Sequence, residues 1–185
     1  MTHDYKTKLA ESQDAMLQAK LDGAYRALFP DRAVIRLEYD DTQAFQSQGR
    51  DLRVVLRGTR GNEKSVAVYE TIEEKIRSPQ RSRYPDLLIE YLSNRERATL
   101  GWIYTSQADW LSYVRQPSTV SVLILPMPDL RAWFVPRLNQ YPDLTPDPAT
   151  RVGDEMYHTA NKIVSFRDAD FRRFVAAHGY RWLTV

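Results

Sequence analysis

The run from Thr119 to Leu125 is strongly apolar, rich in β-branched residues and closed by Pro126. A segment of that length and composition reads as a strand buried on both faces, which requires a covering layer on either side of its sheet. It is far shorter than the roughly 20 apolar residues needed to span a bilayer. The fold it demands is an α/β sheet packed by helices.

The rest of the chain supplies the parts. From Asp4 to Phe29, Leu9, Met16, Leu17, Leu21, Ala24, Tyr25 and Leu28 recur at helical spacing, and Pro30-Asp31 ends the run. Residues Ala33 to Tyr39 alternate in the period of a half-buried strand. A polar stretch from Asp40 to Arg50 leads to a second strand, Asp51 to Arg57. Turn residues from Gly58 to Asn62 then lead into a third, from about Lys64 to Arg77, antiparallel to the second. Asp86 to Leu92 suits a fourth strand, and Gly101 to Tyr104 a short further one. Ser106 is placed to cap a helix running through Arg115. Beyond the buried strand come a helix near Leu130 to Leu138, a Pro/Asp-rich stretch from Tyr141 to Asp154, a strand at Lys162 to Phe166, and a helix at Asp168 to Ala177 stopped by Gly179.

At 185 residues, with 43% hydrophobic and 27% charged side chains, the chain has ordinary globular usage and the size of a single domain, residues 1–185. Met1 to Lys20 is polar and carries no apolar signal-peptide core, so an intracellular, cytoplasmic location is expected. With no cysteine, a disulfide framework, a thiolate nucleophile and a Cys-containing zinc site are all excluded. The three histidines, His3, His158 and His178, are widely spread, so any bound metal should be hard and held by oxygen.

The net charge of +2 says little about partners, but the identity of the cations says more. Only six of the 26 basic residues are lysine, and arginine is the side chain whose planar fork fits phosphate oxygens. Arg50, Arg53, Arg57, Arg60, Arg77, Arg81, Arg83, Arg95 and Arg97 crowd the same third of the chain as a set of carboxylates. As a group they suit a polyanion. Of these, Arg50, Arg53, Arg77, Arg81 and Arg83 are the expected contacts to the backbone of such a polyanion.

Glu73 and Lys75, two residues apart on the third strand, leave the same face of the sheet, and Glu74 leaves the other. Counting back through a turn centred near residue 60 or 61 pairs Asp51 with residues 70 to 71, within a step or so of Glu73. Two carboxylates gathered on one face repel unless a cation intervenes, and a divalent ion with oxygen ligands is the fitting one. A lysine beside them completes a hydrolytic set, orienting a water or offsetting charge that builds on a phosphate. The same three residues also suit a cross-strand ladder of ion pairs. Trp102, Tyr104, Trp110 and Tyr113 form an aromatic group suited to a core or to stacking on unpaired bases.

An acid on the second core strand followed by Glu-x-Lys on the next resembles the PD-(D/E)xK, or restriction-endonuclease-like, nuclease superfamily, whose core is αβββαβ. The run Gln48-Gly49-Arg50-Asp51, then Glu73-Glu74-Lys75-Ile76-Arg77, then Asp86-Leu87-Leu88-Ile89-Glu90, is similar to small phage-type or restriction-like members. The resemblance implies a mixed central sheet flanked by helices over about residues 4–125, with a C-terminal α/β extension over about 126–185. It implies a Mg²⁺- or Mn²⁺-dependent deoxyribonuclease acting on DNA, a homodimer where both strands are cut. Asp51, Glu73 and Lys75 would be catalytic, with Asp51 and Glu73 as metal ligands. An acid of the first helix, Glu11 or Asp14, would approach the metal. One departure is plain: Arg50 stands where the motif's proline would precede Asp51. The literal Pro85-Asp86 lies downstream, which leaves Asp86, with Glu90, as a rival or additional ligand.

Overall fold

The computed structural model of the protein describes residues 2–3, 15–29, 34–39, 48–57, 67–77, 79–116, 119–146, 148–152, 155–178, 180 and 182–184. In chain order the elements are β1 (Thr2–His3), α1 (Ala15–Leu28), β2 (Val34–Tyr39), β3 (Leu52–Arg57), β4 (Ala67–Ile76), α2 (Pro79–Ser82), β5 (Asp86–Asn94) and β6 (Thr99–Leu100). Then follow α3 (Trp102–Thr105), β7 (Trp110–Arg115), β8 (Ser121–Pro126), α4 (Met127–Phe134), a 3₁₀ segment (Val135–Gln140), β9 (Ala149–Val152), β10 (Glu155–His158), β11 (Ala160–Ser165), α5 (Ala169–Ala177) and β12 (Trp182–Thr184).

The central sheet has the order β12-β8-β7-β4-β3-β2. β2, β3 and β4 form an antiparallel meander, β4 pairs β7 in parallel, and β7 pairs β8 antiparallel, so the sheet is mixed and the protein is α/β. The apolar run from Thr119 to Leu125 behaves as its composition requires. Val122 and Ile124 of β8 face one core, shared with Leu17, Leu21 and Tyr25 of α1 and with Leu52, Val54 and Ile72. Leu123 and Leu125 face the other, shared with Leu87, Ile89, Ile103, Phe134 and Phe171. Alternation along one strand therefore ties both layers to the sheet.

The parallel step from β4 to β7 needs a crossover, which holds β5 and β6; β11 joins them later in the chain to complete a second sheet of order β11-β5-β6 over the face opposite α1. The described residues beyond 126 are woven into the whole. β11 pairs β5, β12 pairs β8, and Phe134 from α4 with Phe171 and Phe174 from α5 fill the second core. Asp168, expected as the first helical residue, instead caps α5 by accepting a hydrogen bond from Phe171 N at 2.8 Å, so the helix starts at Ala169.

Two expectations fail for physical reasons. Ser106 to Arg115 is not a helix, and its second half is strand β7. Leu111 and Tyr113 face one core while Trp110 and Val114 face the other, so apolar residues fall on both faces, broken only at Ser112, and the two-residue period of a strand does not show. Gly101 to Tyr104 is not a strand but the start of a helical turn. Gly101 N donates to Tyr91 O at 2.9 Å, and a Cβ at Gly101 would lie 2.4 Å from Glu90 O, so only glycine lets the chain turn so close to β5. The helix expected at Leu130 to Leu138 begins earlier, at Met127. It tightens into a 3₁₀ segment at Val135, where Pro136 provides no backbone donor. The Pro/Asp-rich stretch contains β9, and the N-terminal part of the predicted first helix, with Glu11 and Asp14, lies outside the described residues. Among the described residues no helix is long and apolar enough to cross a membrane.

Candidate active site

The hairpin of β3 and β4 brings the predicted residues together. Its last paired residues are Leu52 and Ile72, which puts Asp51 level with Glu73, further along β4 than turn counting gives. Leu52 and Ile72 both belong to the core under α1. By alternation, Asp51, Glu73 and Lys75 belong to the opposite face. Asp51 N donates to Ile72 O at 2.9 Å, and Asp51 Oδ2 accepts from Glu74 N at 2.7 Å, so the carboxylate is tied across the hairpin by the backbone of β4.

Glu73 is 2% exposed. Lys75 Nζ lies 2.5 Å from its Oε1, whereas Glu73 Oε2 is buried with no hydrogen-bond partner among the described residues. Leaving a buried carboxylate oxygen unpaired is costly, and in a native fold such an atom calls for a functional or structural explanation.

A short strap covers this oxygen. Gly49 sits at φ +62°, and a Cβ there would be 2.8 Å from both Glu73 Oε2 and Ser106 Cβ. The strap is fastened by Ser106 Oγ donating to Gly49 O at 2.9 Å and Gln107 N donating to Gln48 O at 2.8 Å. Arg131 of α4 anchors the other side, donating to Ile103 O at 2.7 Å and to Ser106 O at 2.6 Å. Ser106, expected as a helix cap, is thus a clasp for the strap.

Lys75 is the electrostatic centre of the group. Burial works against its charge, but the carboxylates of Glu73, Asp51 and Glu90 outweigh it and raise the lysine above its usual range. Nζ also lies 5.9 Å from the centre of the Trp102 ring. Glu74 belongs to the other side of the sheet, where the Tyr25 hydroxyl donates to its Oε1 and also sits 2.9 Å from Ser112 Oγ. Burial pushes the Glu74 carboxyl up to about 7, opposed by that hydroxyl and aided by Asp51 and Asp22.

The other candidates are differently placed. Asp86 is taken by Arg77, whose guanidinium also donates to Tyr113 OH at 2.9 Å. Arg77, expected on a DNA backbone, is only 8% exposed, so its charge is spent inside the fold. Glu90, four residues further along β5, is the carboxylate of that strand whose charge acts on Lys75. Arg50 donates to Gln48 Oε1 at 2.9 Å, Arg53 pairs with Glu38 at 3.3 Å, Arg81 lies in α2, and Arg83 is exposed beside Tyr84. Trp102 and Tyr113 are core residues rather than exposed stacking surfaces.

Chemically, Asp51 and Glu73 offer hard oxygen donors next to a lysine held as a cation. Among the described residues no three acidic or imidazole side chains gather closely enough to hold a metal unaided. Gly49 and Glu90 are the contributors that sequence reasoning underused. The Gly-Arg-Asp run before Asp51 was the available signal for the first, and the i, i+4 step from Asp86 for the second. No protein-family model matches the chain, and no curated protein or solved structure matches it.

Proposed function

We propose that the protein is a metal-dependent nuclease of the PD-(D/E)xK kind that hydrolyses DNA phosphodiester bonds by attack of water. The observation that carries this reading is the Glu73 carboxylate, with one oxygen engaged by Lys75 and the other buried with no donor among the described residues, level with Asp51 across the hairpin. The order of elements supports it: a helix and a three-stranded antiparallel meander are followed, beyond α2, β5, β6 and α3, by a strand parallel to the third, an order that accommodates αβββαβ with β5 and β6 as an insertion.

Asp51 and Glu73 would hold Mg²⁺ or Mn²⁺, which suits a pair of hard oxygen donors. When bound, such an ion supplies Lewis acidity toward a phosphoryl oxygen and a water of lowered pKa. Lys75 stays protonated at neutral pH, so its part is to orient the water and to offset negative charge on the phosphate, not to accept a proton. The backbone amide of Glu74 fixes the Asp51 carboxylate. Cutting both strands of a duplex would take two copies of the chain. The test is plasmid cleavage in Mg²⁺, Mn²⁺ or EDTA by the parent, Glu73→Gln and Lys75→Ala proteins. Equal cleavage by folded parent and variants overturns the reading.

A second reading is a nucleic-acid-binding module that keeps this architecture without turnover. The near-complete burial of Glu73 beneath the Gly49 strap favours it. A gel shift of intact DNA in all three solutions, with no cleavage in any, would select it.

A further inference from the structure

Outside the site, the same face of the β2–β3–β4 meander carries an exposed arginine–tyrosine surface. The register sets Arg36, Val55 and Tyr69 in one row and Glu38, Arg53 and Thr71 in the next, with Glu73 the following residue of β4 on that face. Arg57 shares this parity and is exposed. Tyr69 is 52% exposed, and the Arg53 guanidinium lies 5.5 Å from its ring centre. The Arg36 side chain is 63% exposed. Among the described residues Arg36, Arg53 and Arg57 share this face with Glu38, which pairs with both Arg36 and Arg53, and with the exposed Asp109, whose Oδ2 accepts from Thr71 Oγ1 at 2.7 Å.

We propose that this face seats single-stranded DNA, with Tyr69 as the platform for an unpaired base and Arg36, Arg53 and Arg57 facing the backbone phosphates. The proposal rests on the nuclease reading for its direction, because β4 runs from Tyr69, exposed, through Thr71, buried, to Glu73. Tyr69 and Glu73 are separated by about 13 Å along the strand, at roughly 3.3 Å per residue. An exposed ring rewards only a base whose face is free, which a duplex does not offer. Exchanging the Glu38 carboxylate for a phosphate keeps Arg36 and Arg53 each in a charge-assisted hydrogen bond. Surface ion pairs such as those of Glu38 hold their partners weakly, so the exchange is inexpensive.

Fluorescence anisotropy in EDTA, with a labelled oligothymidylate and its blunt duplex with oligoadenylate, tests the seat without cleavage. The parent should bind the single strand, Tyr69→Ala should weaken that binding by about ten-fold or more, Tyr69→Phe should bind as the parent does, and duplex binding should not respond to Tyr69. The proposal is overturned if the parent does not bind the strand, if Tyr69→Ala binds as tightly as the parent, or if Tyr69→Phe loses as much as Tyr69→Ala. It is equally overturned if duplex binding depends on Tyr69 to the same degree, or if an oligouridylate is held more tightly than the thymidylate. Loss of the seat with Mg²⁺-dependent plasmid cleavage intact leaves the nuclease reading standing. Tyr69-dependent binding without cleavage removes that reading and keeps the seat.

Discussion

Lys75 Nζ lies 2.5 Å from Glu73 Oε1, a contact made between two residues on one strand and one face. The pair has two consequences. It pins one oxygen of a buried carboxylate, and it keeps the lysine cationic within the field of Asp51 and Glu90. Replacing Lys75 by alanine or methionine should therefore lower Mg²⁺-dependent DNA cleavage by roughly a hundred-fold or more, the usual scale for losing one charge-stabilising group. Since the folded lysine titrates above its ordinary range, its protonation should impose no fall in rate between pH 7 and about 9. Steady-state cleavage across that range checks both statements, and a rate loss that disappears in Lys75→Met would show that the lysine titrates there.

Asp51 and Glu73 should act as a unit toward a divalent cation. In thermal melts without DNA, Mn²⁺ should raise the melting temperature of the parent in proportion to the logarithm of its excess concentration. Asp51→Asn and Glu73→Gln should each remove most of that rise, and EDTA should restore the parent to its starting value. A Mn²⁺-dependent rise of the same size in both variants would place the cation elsewhere.

Much of this arrangement was legible in the residues, and the reasons differ by element. β3 and β4 could be read because their two faces differ, with apolar Leu52, Val54 and Ile72 alternating against polar neighbours. The same alternation selected Glu73 over Glu74. β7 could not be read that way, because both its faces are buried and its period is erased. The exact level of Asp51 also escaped, since turn counting cannot say how many residues the connection uses. The burial of Arg77 against Asp86 and Tyr113 was hidden for a further reason. It depends on β5 joining a second sheet, a long-range placement that no local pattern encodes.

The Gly49 strap makes a steric prediction. Its backbone lies in the left-handed region at φ +62°, and an added Cβ would meet Glu73 Oε2 and Ser106 Cβ at 2.8 Å and Ser106 Cα at 2.9 Å. Backbone strain alone should cost about 1–3 kcal/mol in Gly49→Ala. The clash with Ser106 backbone adds to it, because that neighbour cannot swing aside. Guanidinium unfolding of Gly49→Ala beside Gly23→Ala, where a Cβ meets nothing within 4 Å, separates this effect from a general glycine substitution. Gly23→Ala should raise the midpoint, since alanine is the better residue inside α1, and a Gly49→Ala midpoint no lower than the parent's would mean that the strap does not press on the site.

Glu74 carries the last prediction, one of pH. Its carboxyl is pushed from about 4.5 to about 7 in the folded protein, first by burial and further by Asp51 and Asp22, against the opposing hydrogen bond from Tyr25. Between those two values the folded state holds a proton that the unfolded chain has released. Its contribution to stability is therefore complete below about 4.5, declines as pH rises through the window, and is gone above about 7. Glu74→Gln has no such proton to lose. Relative to that variant, the parent should gain melting temperature as pH is lowered from about 7 to about 4.5, measured in EDTA so that no cation contributes. Every other carboxylate is common to both proteins and cancels in the difference. A gap between parent and variant that stays constant across the window would show that Glu74 ionises in the fold as it does in the unfolded chain, and that the Tyr25 hydrogen bond offsets its burial in full.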